Sequence, residues 1–240
     1  MTTEGRLLDG RLVYHQPASG FRSGIEPVLL AAAVPAKPGD RILEAGTGAG
    51  ATLLCLHARV PCIRSLGIEV DEAMARLAAA NARANGFTGI EVNPGRIEAA
   101  APHQAFDHAL ANPPYHPACG SASPDHARDV AKRASQTLVQ AWIAALSGQL
   151  RDRGSLTLIV PSALLPTCVT AMAESRCPCT VIYPLWPRIG QSAKLVMIRG
   201  IRNSRTPMRL APGLVLHQLD GTFSETAQSI LRDGAALAID

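Results

Sequence analysis

No apolar run in the 240-residue chain reaches the roughly 18 residues that a membrane helix needs. The longest candidate, around Val28 to Val34, is cut by Pro27 and Pro35. The opening residues, Met1-Thr2-Thr3-Glu4-Gly5, lack the basic-then-apolar pattern of a signal peptide. Both absences lead to the expectation of a soluble cytoplasmic protein without membrane contact. Cysteine pairing is absent too. Six cysteines lie at positions 55, 62, 119, 168, 177 and 179, and only Cys177-Pro178-Cys179 is close-spaced. No second Cys or His pair stands at zinc-finger spacing, so no metal site is expected, and the thiols read as reduced and mostly buried. Acid is missing from one stretch: between Glu174 and Asp220 there is none, while Arg176, Arg188, Lys194, Arg199, Arg202, Arg205 and Arg209 all fall there. These seven cations exceed the chain's net charge of +4, so the remainder is acidic. A basic third on a mildly acidic body suits a polyanion such as nucleic acid, or else forms a solvated basic face.

Internal repeats and low-complexity linkers are lacking as well. What is present is an alternation. The first 20 residues read as irregular, punctuated by Gly5, Gly10, Pro17 and Gly20. A short apolar helix is expected from Pro27 to Ala33. Strands follow at Arg41 to Ala45, Ser65 to Glu69, Ile90 to Asn93, Phe106 to Ala111 and Ser155 to Val160. Helices are expected at Ala51 to Arg59, at Glu72 to Asn85 with Asp71 as cap, at Thr137 to Arg151 and at Ser162 to Ser175. Thr180 to Leu185 and Lys194 to Arg199 close the series as strands with no full helix between them. This pattern predicts an α/β fold, a seven-stranded, mostly parallel sheet with helices on both faces and an antiparallel hairpin at one edge. One domain is expected over 1–240, with a cap segment at 1–38, a core at 39–200 and an extension at 201–240. Ligands of such sheets sit at the carboxyl ends of the strands, so the loops after the first and fourth core strands matter most.

The first of these loops is Glu44-Ala45-Gly46-Thr47-Gly48-Ala49-Gly50. Gly46, Gly48 and Gly50 permit a tight turn and close approach of a ligand to bare backbone. About 20 residues on, the next strand ends in Glu69, followed by Val70, where an acidic side chain can take two ribose hydroxyls. The pairing points to an adenosine-containing ligand. The spacing is G-x-G-x-G and not the G-x-G-x-x-G of dinucleotide binders. Glu44 would repel a pyrophosphate, but it suits the amino group and sulfonium of S-adenosylmethionine.

The second loop is Asn112-Pro113-Pro114-Tyr115. An exocyclic amine on adenine is a poor nucleophile because its lone pair is delocalised into the ring. Two acceptors around the NH₂ group, the Asn112 side-chain oxygen and the Pro113 carbonyl, would draw that pair back and bind the charge that develops on nitrogen. Pro113 and Pro114 stiffen the loop, and Tyr115 offers a face for stacking. No metal or covalent nucleophile is needed. Alone, the loop names a planar amine or amide and does not choose between adenine and glutamine.

Together these residues resemble the class I, Rossmann-like S-adenosylmethionine methyltransferases of the Asn-Pro-Pro-Tyr type. That group includes adenine-amino methyltransferases on DNA and RNA and glutamine-amide methyltransferases of release factors. The segment Gly20-Phe21-Arg22-Ser23-Gly24-Ile25-Glu26-Pro27-Val28-Leu29-Leu30 is similar to that of the bacterial enzymes methylating an adenine beside the anticodon of a valine tRNA. In them it closes over the cofactor, which implies roles for Arg22 and Gly24. The tail Phe223 to Arg232 is also similar, and no helical domain stands before the glycine loop, unlike in the glutamine enzymes. The resemblance implies S-adenosylmethionine as cofactor, adenine N6 in RNA, and in particular tRNA, as substrate, and Arg188, Lys194, Arg199 and Arg202 as phosphate contacts. One position departs from it. The group presents an acidic residue to the cofactor adenine after the third strand, whereas Gly95-Arg96-Ile97 puts Arg96 there. Arginine cannot accept from an amine, so either backbone groups at Arg96 and Ile97 serve or affinity falls. Trp142 and Trp186 read as core or edge aromatics, and His103, His108, His116 and His126 as loop or surface residues. A glutamine methyltransferase and a non-catalytic binding module are the competing readings, and the oligomeric state stays open.

Overall fold

The computed structural model describes residues 2–18, 24–101, 105–114 and 124–239, with backbone alone over 124–134. Its centre is a mixed sheet. In chain order the core strands are β3 (Arg41–Ala45), β4 (Arg64–Glu69), β5 (Ile90–Pro94), β6 (Phe106–Ala111), β7 (Leu150–Pro161), β8 (Cys179–Trp186) and β9 (Leu195–Ile201). The spatial order is β5-β4-β3-β6-β7-β9-β8. Two short strands, β10 (Arg209–Leu210) and β11 (Leu214–Val215), pair parallel to β8. The sheet therefore has nine strands, not seven. The antiparallel member also lies inside it: β9 is antiparallel to both β7 and β8, and β10 and β11 cover the edge expected for the hairpin.

Alternation divides the core into two layers, as a sheet covered on both faces requires. On one face Ile42, Leu110, Ile159 and Met197 meet α1 (Glu26–Ala33) and α2 (Ala51–Arg59), with Met74 and Leu77 of α3 (Glu72–Ala84) packed alongside. On the other, Leu43, Ala109, Leu158 and Ile198 meet α4 (Pro124–Gln149) and α5 (Leu165–Glu174). Asp71 caps α3, its Oδ1 accepting from the Ala73 and Met74 N–H groups.

The opening segment is not irregular. Strands β1 (Thr2–Leu7) and β2 (Leu12–Pro17) form an antiparallel hairpin outside the main sheet. Two asparagines of α3 hold it in place. The Asn85 amide exchanges bonds with Val13 N–H and C=O at 2.9 and 2.7 Å, and the Asn81 amide does so with His15 at 3.0 and 2.8 Å. Four residues along a helix advance about 6 Å and two along a strand about 6.8 Å, so the pair imitates a neighbouring strand.

Arg199 explains how α1 ends. Val34-Pro35 follow it with no glycine cap, and its last carbonyls find tertiary donors. Arg59 donates to Ala31 and Val34, the Leu237 N–H to Ala32, and Arg199 to Ala33. Arg199 is only 2% exposed and also donates to Thr157, its register partner on β7. Among the described residues no helix is long and apolar enough to cross a membrane. The five cysteines described there are free thiols, of which only Cys62 is exposed; Cys119 lies outside the described residues.

Candidate active site

The glycine loop leaves β3 at Ala45, and the Asn112 loop leaves β6 at Ala111. Those two residues are register partners on adjacent parallel strands, so the loops emerge side by side. Gly46, Gly48 and Gly50 have φ of 69°, 57° and 91°, a left-handed path that side chains resist. The loop is anchored by Gly46 N–H donating to Ile68 C=O at 2.8 Å and by Gly50 N–H donating to Thr47 C=O at 2.9 Å. Trp142 of α4 lies against it: a Cβ on Gly46 would sit 2.7 Å from the indole. On the other side Asn81 donates to Ala49 C=O at 2.9 Å, tying the loop to the N-terminal hairpin. Trp142 and Asn81 escape a reading based on motifs. The available signal for Asn81 was its place in a helix interior, where asparagine is a poor choice unless its amide is used.

The electrostatics of this end are unusual. Glu44 is 2% exposed, and its Oε2 has no hydrogen-bond partner among the described residues. Burial pushes its carboxyl up to about 8, with the charge of Glu69 adding and the Thr52 hydroxyl opposing. Thr47 Oγ1 is likewise buried and unpartnered. Glu69 by contrast is engaged, its Oε2 accepting from Gly48 N–H at 2.8 Å and its Oε1 from Asp71 N–H at 3.0 Å. It thus ties the glycine loop to the turn between β4 and α3. Asn112 Oδ1 is buried without a partner among the described residues, while Pro113 is buried and Pro114 exposed. A buried acceptor left unsatisfied costs about 1–3 kcal/mol, and such sites ask for a donor from a ligand.

The remaining expected residues sort by position. Gly24 lies just before Ile25, the N-cap of α1, and Val70 is exposed after β4. Ile97 is buried, while the Arg96 side chain points to Glu98 as an exposed ion pair of 3.1 Å. That pairing turns the Arg96 side chain to Glu98 and makes it no acceptor at this place. Arg22 and Tyr115 lie outside the described residues, as do His103 and His116 and the side chain of His126. His108 is no surface residue: its ring nitrogens lie 2.7 Å from Ser155 Oγ and 3.1 Å from Asp40 Oδ2 at the amino end of the sheet. Burial holds it below the usual histidine range, with Asp40 opposing.

The four basic residues expected on RNA do not act together. Arg188 and Lys194 are exposed on the connection between β8 and β9, at the sheet end where β7 finishes, since Pro161 pairs with Leu195. Arg199 is buried under α1, so it cannot meet phosphate. Arg202 follows the far end of β9 and donates to the Ser147 carbonyl, at the opposite pole of the sheet. The expectation is withdrawn for Arg199 and Arg202, because strand direction carries them away from the catalytic end. Among the described residues no three His, Cys, Asp or Glu side chains gather as a metal site.

The arrangement fits S-adenosylmethionine: a bare left-handed backbone, a buried carboxyl with one oxygen lacking a donor among the described residues, and an acidic residue at the end of the next strand. The methyltransferase small domain family matches residues 25–174. The tRNA1(Val) (adenine(37)-N6)-methyltransferase of Aeromonas hydrophila is 30% identical over 210 residues, covering 85% of this chain and 86% of that protein. Its Bacteroides thetaiotaomicron counterpart is 29% identical over 217 residues, covering 89% and 91%. The structure of a predicted O-methyltransferase of Agrobacterium tumefaciens superposes with a TM-score of 0.73, covering 89% of this chain and 98% of that one at 24% identity. That last likeness bears on the fold alone.

Proposed function

Because the chain belongs to the methyltransferase small domain family and is an S-adenosylmethionine-dependent methyltransferase of class I fold, we propose that it methylates the exocyclic N6 amine of adenine in tRNA. The observation that carries this reading is Asn112 Oδ1, a buried acceptor without a partner among the described residues, at the end of β6 and one strand from the glycine loop. The relatives in Aeromonas and Bacteroides, named for adenine-N6 methylation of tRNA1(Val), support the choice of adenine and of RNA.

S-adenosylmethionine supplies an electrophilic methyl group. The protein's part is to hold the acceptor nitrogen. Asn112 Oδ1 and the Pro113 carbonyl would accept from the adenine NH₂ and localise its lone pair. As positive charge grows on nitrogen these bonds strengthen, which is selective binding of the transition state. Gly46, Gly48 and Gly50 would hold the cofactor against bare backbone, with Glu44 facing its amino group and Glu69 its ribose. Arg22, Gly24, Val70, Arg96 and Ile97 complete the proposed cofactor contacts, with Pro114 stiffening the catalytic loop and Tyr115 stacking on the base. A tRNA substrate places the work in the cytoplasm.

Labelled S-adenosylmethionine and tRNA from cells lacking the gene test the reading. Label should appear in N6-methyladenosine after nuclease digestion. Label in glutamine of a release-factor domain, with none in RNA, would overturn it.

A further inference from the structure

Trp186 ends β8 at the same pole of the sheet as the catalytic loop, and it is not a core aromatic. It lines a cavity of about 490 Å³ together with Arg188, Ile189, Gln191 and Val215. Its ring is held in place, since Nε1 donates to the Pro212 carbonyl at 2.9 Å. The facing wall is braced as well: the His217 N–H donates to Pro187 C=O at 3.1 Å, and the His217 ring stacks on Phe223 at 4.7 Å. Ile189 is 77% exposed, an apolar side chain left in the open beside the indole. Neither Arg188 nor Lys194 has an ion pair or side-chain hydrogen bond among the described residues. The cavity lies inside the stretch from 175 to 219 that carries no acid.

We propose that this cavity between β8, β11 and the β8–β9 connection is a subsite for one unpaired nucleotide of the RNA substrate, flanking the adenine that is methylated. The inference rests on the adenine-in-RNA reading and adds where the strand runs. A fixed indole offers a stacking face that any base can use. Arg188 and Lys194 stand where a phosphate on either side of that base would pass, and the Gln191 amide can both donate and accept. The strand order sets the distance. From β6 through β7 and β9 to β8 is three steps, about 14 Å at the usual strand spacing. At about 3.4 Å per stacked nucleotide, the occupant lies no more than about four nucleotides from the target, and fewer if the chain is extended. A protein partner is disfavoured by charge: of the two cations of the acid-free stretch at this pole, Arg188 lines the cavity and Lys194 stands on the same β8–β9 connection, with no acid between them.

The test uses the full-length protein with S-adenosylhomocysteine bound and uridine-rich single-stranded RNAs carrying one adenine. The strands are lengthened on the 5′ or the 3′ side from about 4 to about 12 nucleotides, within the range of single-strand site sizes. Binding is read by fluorescence anisotropy. The wild type should gain about 5- to 100-fold in affinity when the strand on one side becomes long enough to reach the cavity. Trp186→Ala and Arg188→Ala should lose that step, and Lys194→Ala should lower the salt dependence by about one phosphate contact. Unchanged S-adenosylhomocysteine affinity in each variant shows that the fold is intact. Equal gains on both sides, or a step that survives in both Trp186→Ala and Arg188→Ala, would overturn the proposal, as would failure of all strands to bind. Methylation of the same RNAs separates the two readings: a step lost in the variants without methylation of the adenine supports the subsite and sinks the adenine assignment.

Discussion

The two poles of the sheet treat polar groups in opposite ways. At the amino end the carboxylates are partnered. Asp107 accepts from the Arg41 N–H and from Arg151, and although its burial pulls the other way, these bonds hold it below the ordinary range. Asp40 meets His108 and the Lys37 N–H, and Asp152 meets Asn203. Ser147 Oγ and Arg59 Nε are exceptions there among the described residues. At the carboxyl end Glu44 Oε2, Thr47 Oγ1 and Asn112 Oδ1 are buried with no partner among the described residues, and neither Arg188 nor Lys194 makes an ion pair with a described residue. A protein gains stability from the first pattern. It tolerates the second where a ligand supplies the missing donors and acceptors. The contrast supports the proposed site at the carboxyl end without reference to any motif.

The largest expected effect breaks the carboxyl end. Asn112→Ala should cut methyl transfer about 100- to 1,000-fold, while calorimetry shows cofactor affinity within a few fold and thermal stability unchanged. A matching loss of cofactor affinity would mean that Asn112 holds the cofactor and not the acceptor amine. Next comes Arg199, which belongs to neither pole. Arg199→Leu removes a buried donor from the end of α1 and should lower stability by about 3 kcal/mol in urea denaturation, with RNA affinity of the folded protein preserved. Weakened RNA binding at unchanged stability would restore the phosphate role that burial argues against.

Glu44 gives a pH-dependent test. Its carboxyl titrates near 8 in the folded chain and near 4.5 in the ordinary case. The folded state therefore keeps a proton that the unfolded chain releases, and stability of the unliganded protein should fall as pH rises from about 4.5 towards 8. A cationic amino group beside Glu44 favours the ionised form, so cofactor binding releases that proton. Affinity should rise up to about 10-fold between about pH 6 and pH 7.5. In Glu44→Gln the slope should vanish; an unchanged slope would place the titrating group elsewhere. The smallest effect is at the amino end. Arg151 is half exposed, with 53% of its side chain accessible, so Arg151→Ala should cost less than about 1 kcal/mol and leave transfer untouched.

Much of the fold could be read because its signals are local. Arg41 to Ala45, Ala51 to Arg59 and Phe106 to Ala111 were bounded by glycine, proline and hydrophobic runs, and their ends match the structure. The placement of β9 between β7 and β8 could not be read, since strand order is a long-range property. The N-terminal hairpin escaped for a related reason. Gly5 and Gly10 look like loop punctuation, and what steadies the hairpin is a pair of asparagines more than 60 residues away. The glycine loop and the Asn112 loop were visible because each needs particular residues at particular spacing. The split of the basic residues was not visible: Arg199 and Arg202 share a strand region with Lys194, and only strand direction shows that they lie progressively farther from the site.

The central claim is that the unpartnered acceptor at Asn112 is completed by adenine in tRNA. The direct measurement is transfer of labelled methyl from S-adenosylmethionine to tRNA isolated from cells without the gene, followed by nucleoside analysis, with wild type and Asn112→Ala side by side. The account predicts labelled N6-methyladenosine from the wild type and about 100-fold less or lower from the variant. Label in another nucleoside, label only in protein, or equal transfer by the two proteins would contradict it.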